Sequence, residues 1–111
     1  MWSVEHAYID GAFVPVHGTE VLPVADPATE QVIGSVTLAN REDARLAIAA
    51  ARRAQAAMAR TTKAERIEML GRLQQAVLAC TDRIRDVTIE EYGGPLARAQ
   101  WVSQYAAQCF S

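Results

Sequence analysis

The run from Thr62 to Glu91 constrains this chain more than any other stretch. Ile67, Leu70, Leu73, Val77, Cys80, Ile84 and Val87 recur at steps of three or four, so on a helix they share one side. Thr62 and Glu65 have the spacing of a capping box: the hydroxyl takes the Glu65 amide and the carboxylate reaches back to the Thr62 amide. The run stops at Gly93-Gly94-Pro95, where flexible residues end one helix and a proline opens the next. A helix this long and this apolar on one side needs something to pack against.

The rest of the chain is read around it. Tyr8-Ile9-Asp10-Gly11-Ala12-Phe13-Val14 reads as two short strands about an Asp-Gly turn, which supplies the positive φ angles of a type I′ hairpin. Val21 to Val24 is a further extended piece. Pro23 marks it as an edge or irregular strand, because proline donates no ladder hydrogen bond. Asp26-Pro27 starts a turn, and Gln31 to Val36 is the return strand. Asn40 is a good N-cap, and Glu42 and Asp43 suit a positive first turn. Ala44, Ala47, Ile48, Ala51 and Met58 then lie on one side of the first helix. Leu96, Ala99, Val102, Ala106 and Phe110 form a stripe on the last helix, with Trp101 and Tyr105 beside it. No Gly, Pro or polar tail follows Phe110, which reads as a cut rather than a finished terminus. The expected fold class is α+β: a small antiparallel strand layer over 7–36, followed by three helices over 41–59, 62–91 and 95–110.

At 111 residues, 50% apolar and 22% charged, the chain has the composition of a single globular domain. Its net charge of −2 favours neither nucleic acid nor an anionic membrane. All eleven basic residues lie from Arg41 onward, but no aromatic residues alternate with them as single-strand binding would want, so they read as solvated helix faces. The two cysteines, Cys80 and Cys109, make no disulfide framework, which points to a reducing, cytoplasmic compartment. The start Met-Trp-Ser-Val-Glu-His has no signal-peptide pattern, and no apolar run approaches the roughly 20 residues that span a bilayer.

Catalytic chemistry is hard to place. His6 and His17 have no cysteine or carboxylate at zinc spacing and read as exposed loop residues. Cys80 reads as a small buried hydrophobe in the apolar stripe. Cys109 has no neighbouring base or positive site to generate a thiolate. Glu90 and Glu91 are adjacent, so they point to different sides of a helix. Neither Asp10-Gly11 nor Gly93-Gly94 belongs to a phosphate-cradling loop.

The order of elements carries more. Tyr8-Ile9-Asp10-Gly11-x-Phe13-Val14 precedes Asp26-Pro27-Ala28-Thr29-Glu30-Gln31-Val32-Ile33-Gly34-x-Val36. Glu42-Asp43 with Ala47-x-x-Ala50-Ala51-Arg52 follows, then Ala64-Glu65-Arg66, then Glu91-x-Gly93-x-Pro95. From Tyr8 to Phe110 this resembles the N-terminal part of the NAD(P)-dependent aldehyde dehydrogenase superfamily. The resemblance implies the first portion of a Rossmann-type cofactor domain whose central sheet comes later. It implies a parent enzyme that oxidises an aldehyde through a cysteine thiohemiacetal, with NAD or NADP as hydride acceptor and a glutamate base. Those groups lie outside this stretch, so no catalytic or cofactor-binding residue is carried over, and the segment alone is expected to be structural, inactive and free of bound cofactor. Its expected partner is the rest of a dehydrogenase chain, or a homo-oligomer covering the apolar helix faces. One minor site is implied: an alkali cation held by the Val24 carbonyl and by Glu91, where the family more usually has Asp. Gly94 and Glu30 also depart from the family, which often has Lys and Gly there. The alternative is a stand-alone helical interaction module descended from the same family.

Overall fold

The computed structural model describes every residue from Met1 to Ser111. Five strands precede four helices: β1 (Trp2–Val4), β2 (His6–Ile9), β3 (Ala12–Pro15), β4 (Val21–Ala25), β5 (Val32–Thr37), α1 (Arg41–Met58), α2 (Lys63–Ala79), α3 (Thr81–Tyr92) and α4 (Leu96–Gln108). They fall into two units. One holds Met1–Ala25 with Gln31–Arg60, and the other holds Asp26–Glu30 with Thr61–Ser111.

In the first unit the Asp10-Gly11 turn forms as its sequence requires, with φ of 55° at Asp10 and 81° at Gly11. It joins β2 to β3 in register, Tyr8 opposite Phe13, and those two rings meet edge to face at 5.1 Å. A second sheet has the order β1-β5-β4, with Pro23 on its edge strand β4, paired with Ser35. The pairings within the antiparallel layer expected over 7–36 form as such, and one strand not foreseen is added at the N-terminus. β4 pairs antiparallel with β5, but β1 pairs parallel with β5, Trp2 opposite Gly34. The Trp2 ring fills the space a Gly34 side chain would need: a Cβ there would stand 2.3 Å from the ring. Trp2–Val4 is too short to announce itself by alternation, and its indole finds a partner only through the bare glycine.

α1 begins with a full capping box. The Asn40 side chain accepts the Glu42 and Asp43 amides, and Asp43 Oδ2 accepts the Asn40 amide at 2.8 Å. Ala50 is its one buried apolar residue, and α1 meets β2.

In the second unit the single helix expected over 62–91 is two helices. α2 ends at Ala79, Cys80 takes φ −107° and ψ 4°, and α3 starts at Thr81. The Thr81 hydroxyl donates to the Leu78 carbonyl at 3.0 Å. A local side-chain partner for that carbonyl competes with the regular ladder and favours a break. Cys80 is accordingly exposed rather than part of a buried stripe. α3 closes at Gly93 in the left-handed region, φ 68°, and Pro95 stands before α4 as anticipated. α4 packs on both α2 and α3. The buried positions are Ala99, Ser103 and Ala107, a file of small side chains at steps of four, rather than the whole bulky stripe. Trp101 and Tyr105 lie off that file and stack on each other at 4.9 Å, half exposed.

Little of the apolar surface is covered. Ala50, Ala99 and Ala107 are the only buried apolar side chains, while Ile67 is 59%, Leu70 44% and Leu73 49% exposed. The chain exposes 8512 Å². Two independent compact units of half its mass would together expose about 7,200 Å².

Candidate functional site

The most developed polar cluster centres on Asp43, which is legible in the sequence only as a first-turn carboxylate. Its carboxylate is 3% exposed, unusual for an acidic side chain. Four contacts satisfy it. The Asn40 amide donates at 2.8 Å, the His17 amide donates to both oxygens at 3.1 and 3.0 Å, and His17 Nδ1 lies 2.7 Å from Oδ1. The Asn40 amide and the His17 ring hold the Asp43 carboxyl down at about 2, so it is ionised. The same contact raises the imidazole of His17 above its ordinary value. His17 lies in the loop between β3 and β4, twenty-six residues from Asp43. No local spacing encodes that pairing. The expectation of an exposed loop histidine holds, with the His17 side chain 55% exposed, and the contact with Asp43 adds to it.

An open groove of about 500 Å³ lies beside this cluster, with Ile9, Val14, Pro15 and Leu46 as its apolar walls. Asp10, His17 and Arg53 also line it, and Arg53 donates to Asp10 at 3.1 Å. Both members of that ion pair are about two-thirds exposed, so it contributes little.

The residues present do not fit a dinucleotide. A pyrophosphate sits at a helix N-terminus after a glycine-rich turn, where free amides and the dipole favour negative charge. The starts of α1 and α2 are already taken by their own carboxylates, Asp43 and Glu65; Glu65 Oε2 accepts the Thr62 amide at 2.7 Å. α3 has Asp82 in its first turn, and α4, whose start has no side-chain cap, is not preceded by a G-x-G-x-x-G turn. Gly93 is packed under Pro27 and Gly94 is buried. No group of three His, Cys, Asp or Glu side chains stands close enough together to hold a metal ion. Cys80 and Cys109 are free and exposed. Of the two residues tied to an alkali cation, Val24 lies in β4 of the first unit, beside a register shift at Val24/Ala25. Glu91 is exposed in the last turn of α3 in the second unit.

Strands followed by helices, two of whose starts are self-capped by acid, make this a segment of a mixed α and β fold. Its relatives give it a family. Residues 13–111 match the aldehyde dehydrogenase family, and the chain belongs to it. It is 38% identical over 91 residues to a 3-succinoylsemialdehyde-pyridine dehydrogenase of a Pseudomonas species, covering 82% of this chain and 19% of that enzyme. It is 35% identical to the glutarate-semialdehyde dehydrogenase of Pseudomonas aeruginosa, covering 93% of this chain and 21% of that one. The crystal structure of an NAD-dependent aldehyde dehydrogenase from Sinorhizobium meliloti superimposes with a TM-score of 0.86 at 26% identity, over 98% of this chain and 22% of that one. The chain therefore spans about a fifth of the length of the relatives it matches. No helix in it is long and apolar enough to cross a membrane.

Proposed function

We propose that residues 1–111 serve as the N-terminal section of the cofactor-binding domain of an NAD(P)-dependent aldehyde dehydrogenase, and that their own contribution is scaffolding. The observation that carries this reading is the exposed apolar side of α2, Ile67, Leu70 and Leu73, in a family whose members are about five times longer. Such a face is stable only when covered, and the rest of a dehydrogenase chain is the cover that family membership supplies. The aldehyde would be oxidised to a carboxylate by groups that this stretch does not contribute.

The test is enzymatic. The protein carrying this segment is expected to form reduced nicotinamide from an aldehyde and NAD or NADP. A semialdehyde is the first choice, because two relatives act on semialdehydes by name. Purified, folded protein that oxidises no aldehyde with either nucleotide would overturn the reading.

The second reading, a stand-alone interaction module, draws on the same exposed face. It requires that the face be covered by a different protein. A purified chain that stays monomeric and binds no apolar dye would count against it.

A further inference from the structure

The loop between β3 and β4 is held at several points, some of them on the approach to α1, and they differ in what they need. Val16 donates its amide to the Glu5 carbonyl at 3.1 Å, and Leu38 donates to the Glu20 carbonyl at 2.8 Å. Gly18 lies so close to the chain that a Cβ there would stand 1.8 Å from the Leu38 carbonyl oxygen. These contacts are neutral backbone contacts and indifferent to pH. The remaining contact is not: the His17 amide and ring both converge on Asp43, and the same carboxylate closes the capping box of α1 through the Asn40 amide. One buried carboxylate thus ties a loop to the initiation of a helix.

We propose that His17 and Asp43 form a protonation-dependent latch, in which the imidazolium form of His17 holds the β3–β4 loop against the start of α1 and the neutral form, left with a weaker Nδ1–H hydrogen bond, loosens both the ring and the His17 amide contact while the Val16 and Leu38 backbone contacts remain. The charged groups around His17 favour the closed form. From α1 it faces Asp43, with Glu42 adding a weaker attraction for the imidazolium. Arg53 of α1 lines the same groove but is engaged by Asp10 of the β2–β3 turn at 3.1 Å, so that cation is matched by its own anion. Glu20, further along the loop, contributes its backbone carbonyl.

The direction of the pH effect follows from the two partners. His17 binds its proton more tightly folded than unfolded, so its contribution is fully present below 6.5 and fades as pH rises through the raised folded value. Asp43 is the reverse: its contribution is present above 3.8 and fades as pH falls towards about 2. The latch is therefore tightest between those limits and loosens as pH rises above 6.5 through the raised folded value of His17. This inference rests on the first unit's geometry alone and is independent of the enzymatic reading.

Amide hydrogen exchange read by NMR, corrected for intrinsic base catalysis, tests it. Between pH 6 and pH 8.5 the protection of the His17 amide is expected to fall several-fold, while the Ala50 amide in the body of α1 keeps its protection. In His17→Gln, which has no titrating ring, that pH dependence should vanish with α1 intact. The same fall in His17→Gln as in the wild type, or constant protection in the wild type, would overturn the latch. The wild-type ring titration gives a reading that needs no variant: a His17 midpoint above 6.5 supports the latch, and one at or below 6.5 overturns it.

Discussion

Pro27 lies directly over Gly93. A Cβ at Gly93 would come within 2.7 Å of Pro27 Cγ, and Gly93 holds φ +68°. The Asp26–Glu30 turn is thereby seated on the junction between α3 and α4, and two separate demands fall on one glycine. Gly93→Ala should cost about 1–2 kcal/mol for the left-handed backbone and a similar amount for overpacking. Adding Pro27→Ala should recover the second part but not the first, so the pair would be less than additive. Urea midpoints of the two single variants and the double variant check this.

The same turn carries a strain of opposite sign at Glu30. Its φ is +59°, a region where a side chain is costly. The turn is otherwise well made: the Glu30 amide donates to the Asp26 carbonyl at 2.8 Å, and the Ala28 amide to Asp26 Oδ1 at 2.7 Å. Glu30→Gly should therefore raise stability by about 0.5–1 kcal/mol, the left-handed penalty less glycine's extra chain entropy. Thermal unfolding of wild type and variant gives the sign directly.

The two capping boxes are matched tests. Asn40→Ala and Thr62→Ala should each cost about 1 kcal/mol. Because α1 and α2 belong to different units, the double variant should lose the sum. Circular dichroism during denaturation reads both losses.

These local features were the legible ones. Caps, the Asp10-Gly11 turn, the Pro95 start and the Gly93 stop depend on residues within four positions of each other, and each formed as written. What depends on distant partners was not legible. The β1–β5 pairing needs Trp2 to find Gly34, and the polar cluster needs His17 to find Asp43. The break at Cys80 could have been suspected from Thr81-Asp82, a plausible new helix start inside an apolar period that runs straight through. Of the buried file Ala99–Ser103–Ala107 only Ala99 stood in the stripe read from the sequence, because hydrophobicity pointed to larger neighbours. Close helix approach selects small side chains, whatever their polarity. The family resemblance survived these errors because it rests on the order of turns and caps.

The exposed side of α2 makes a prediction about substitutions. Leu70→Asp with Leu73→Asp should leave the stability of the 111-residue chain within about 0.5 kcal/mol, since both side chains are already half in water. The pair should lower the chain's binding of an apolar dye. In the protein carrying the whole family length, the same pair should cost several kcal/mol, because it would bury two unpaired carboxylates. Parallel melts of the two forms read the contrast.

Calorimetric titration of the folded 111-residue chain with NAD, and separately NADP, up to millimolar cofactor bears most directly on the claim that this segment is scaffold. The starts of α1 and α2 are closed by Asp43 and Glu65, and no glycine-rich phosphate loop leads into α3 or α4. The expected result is heat of dilution alone for both nucleotides, and a saturable isotherm with either one would contradict the account.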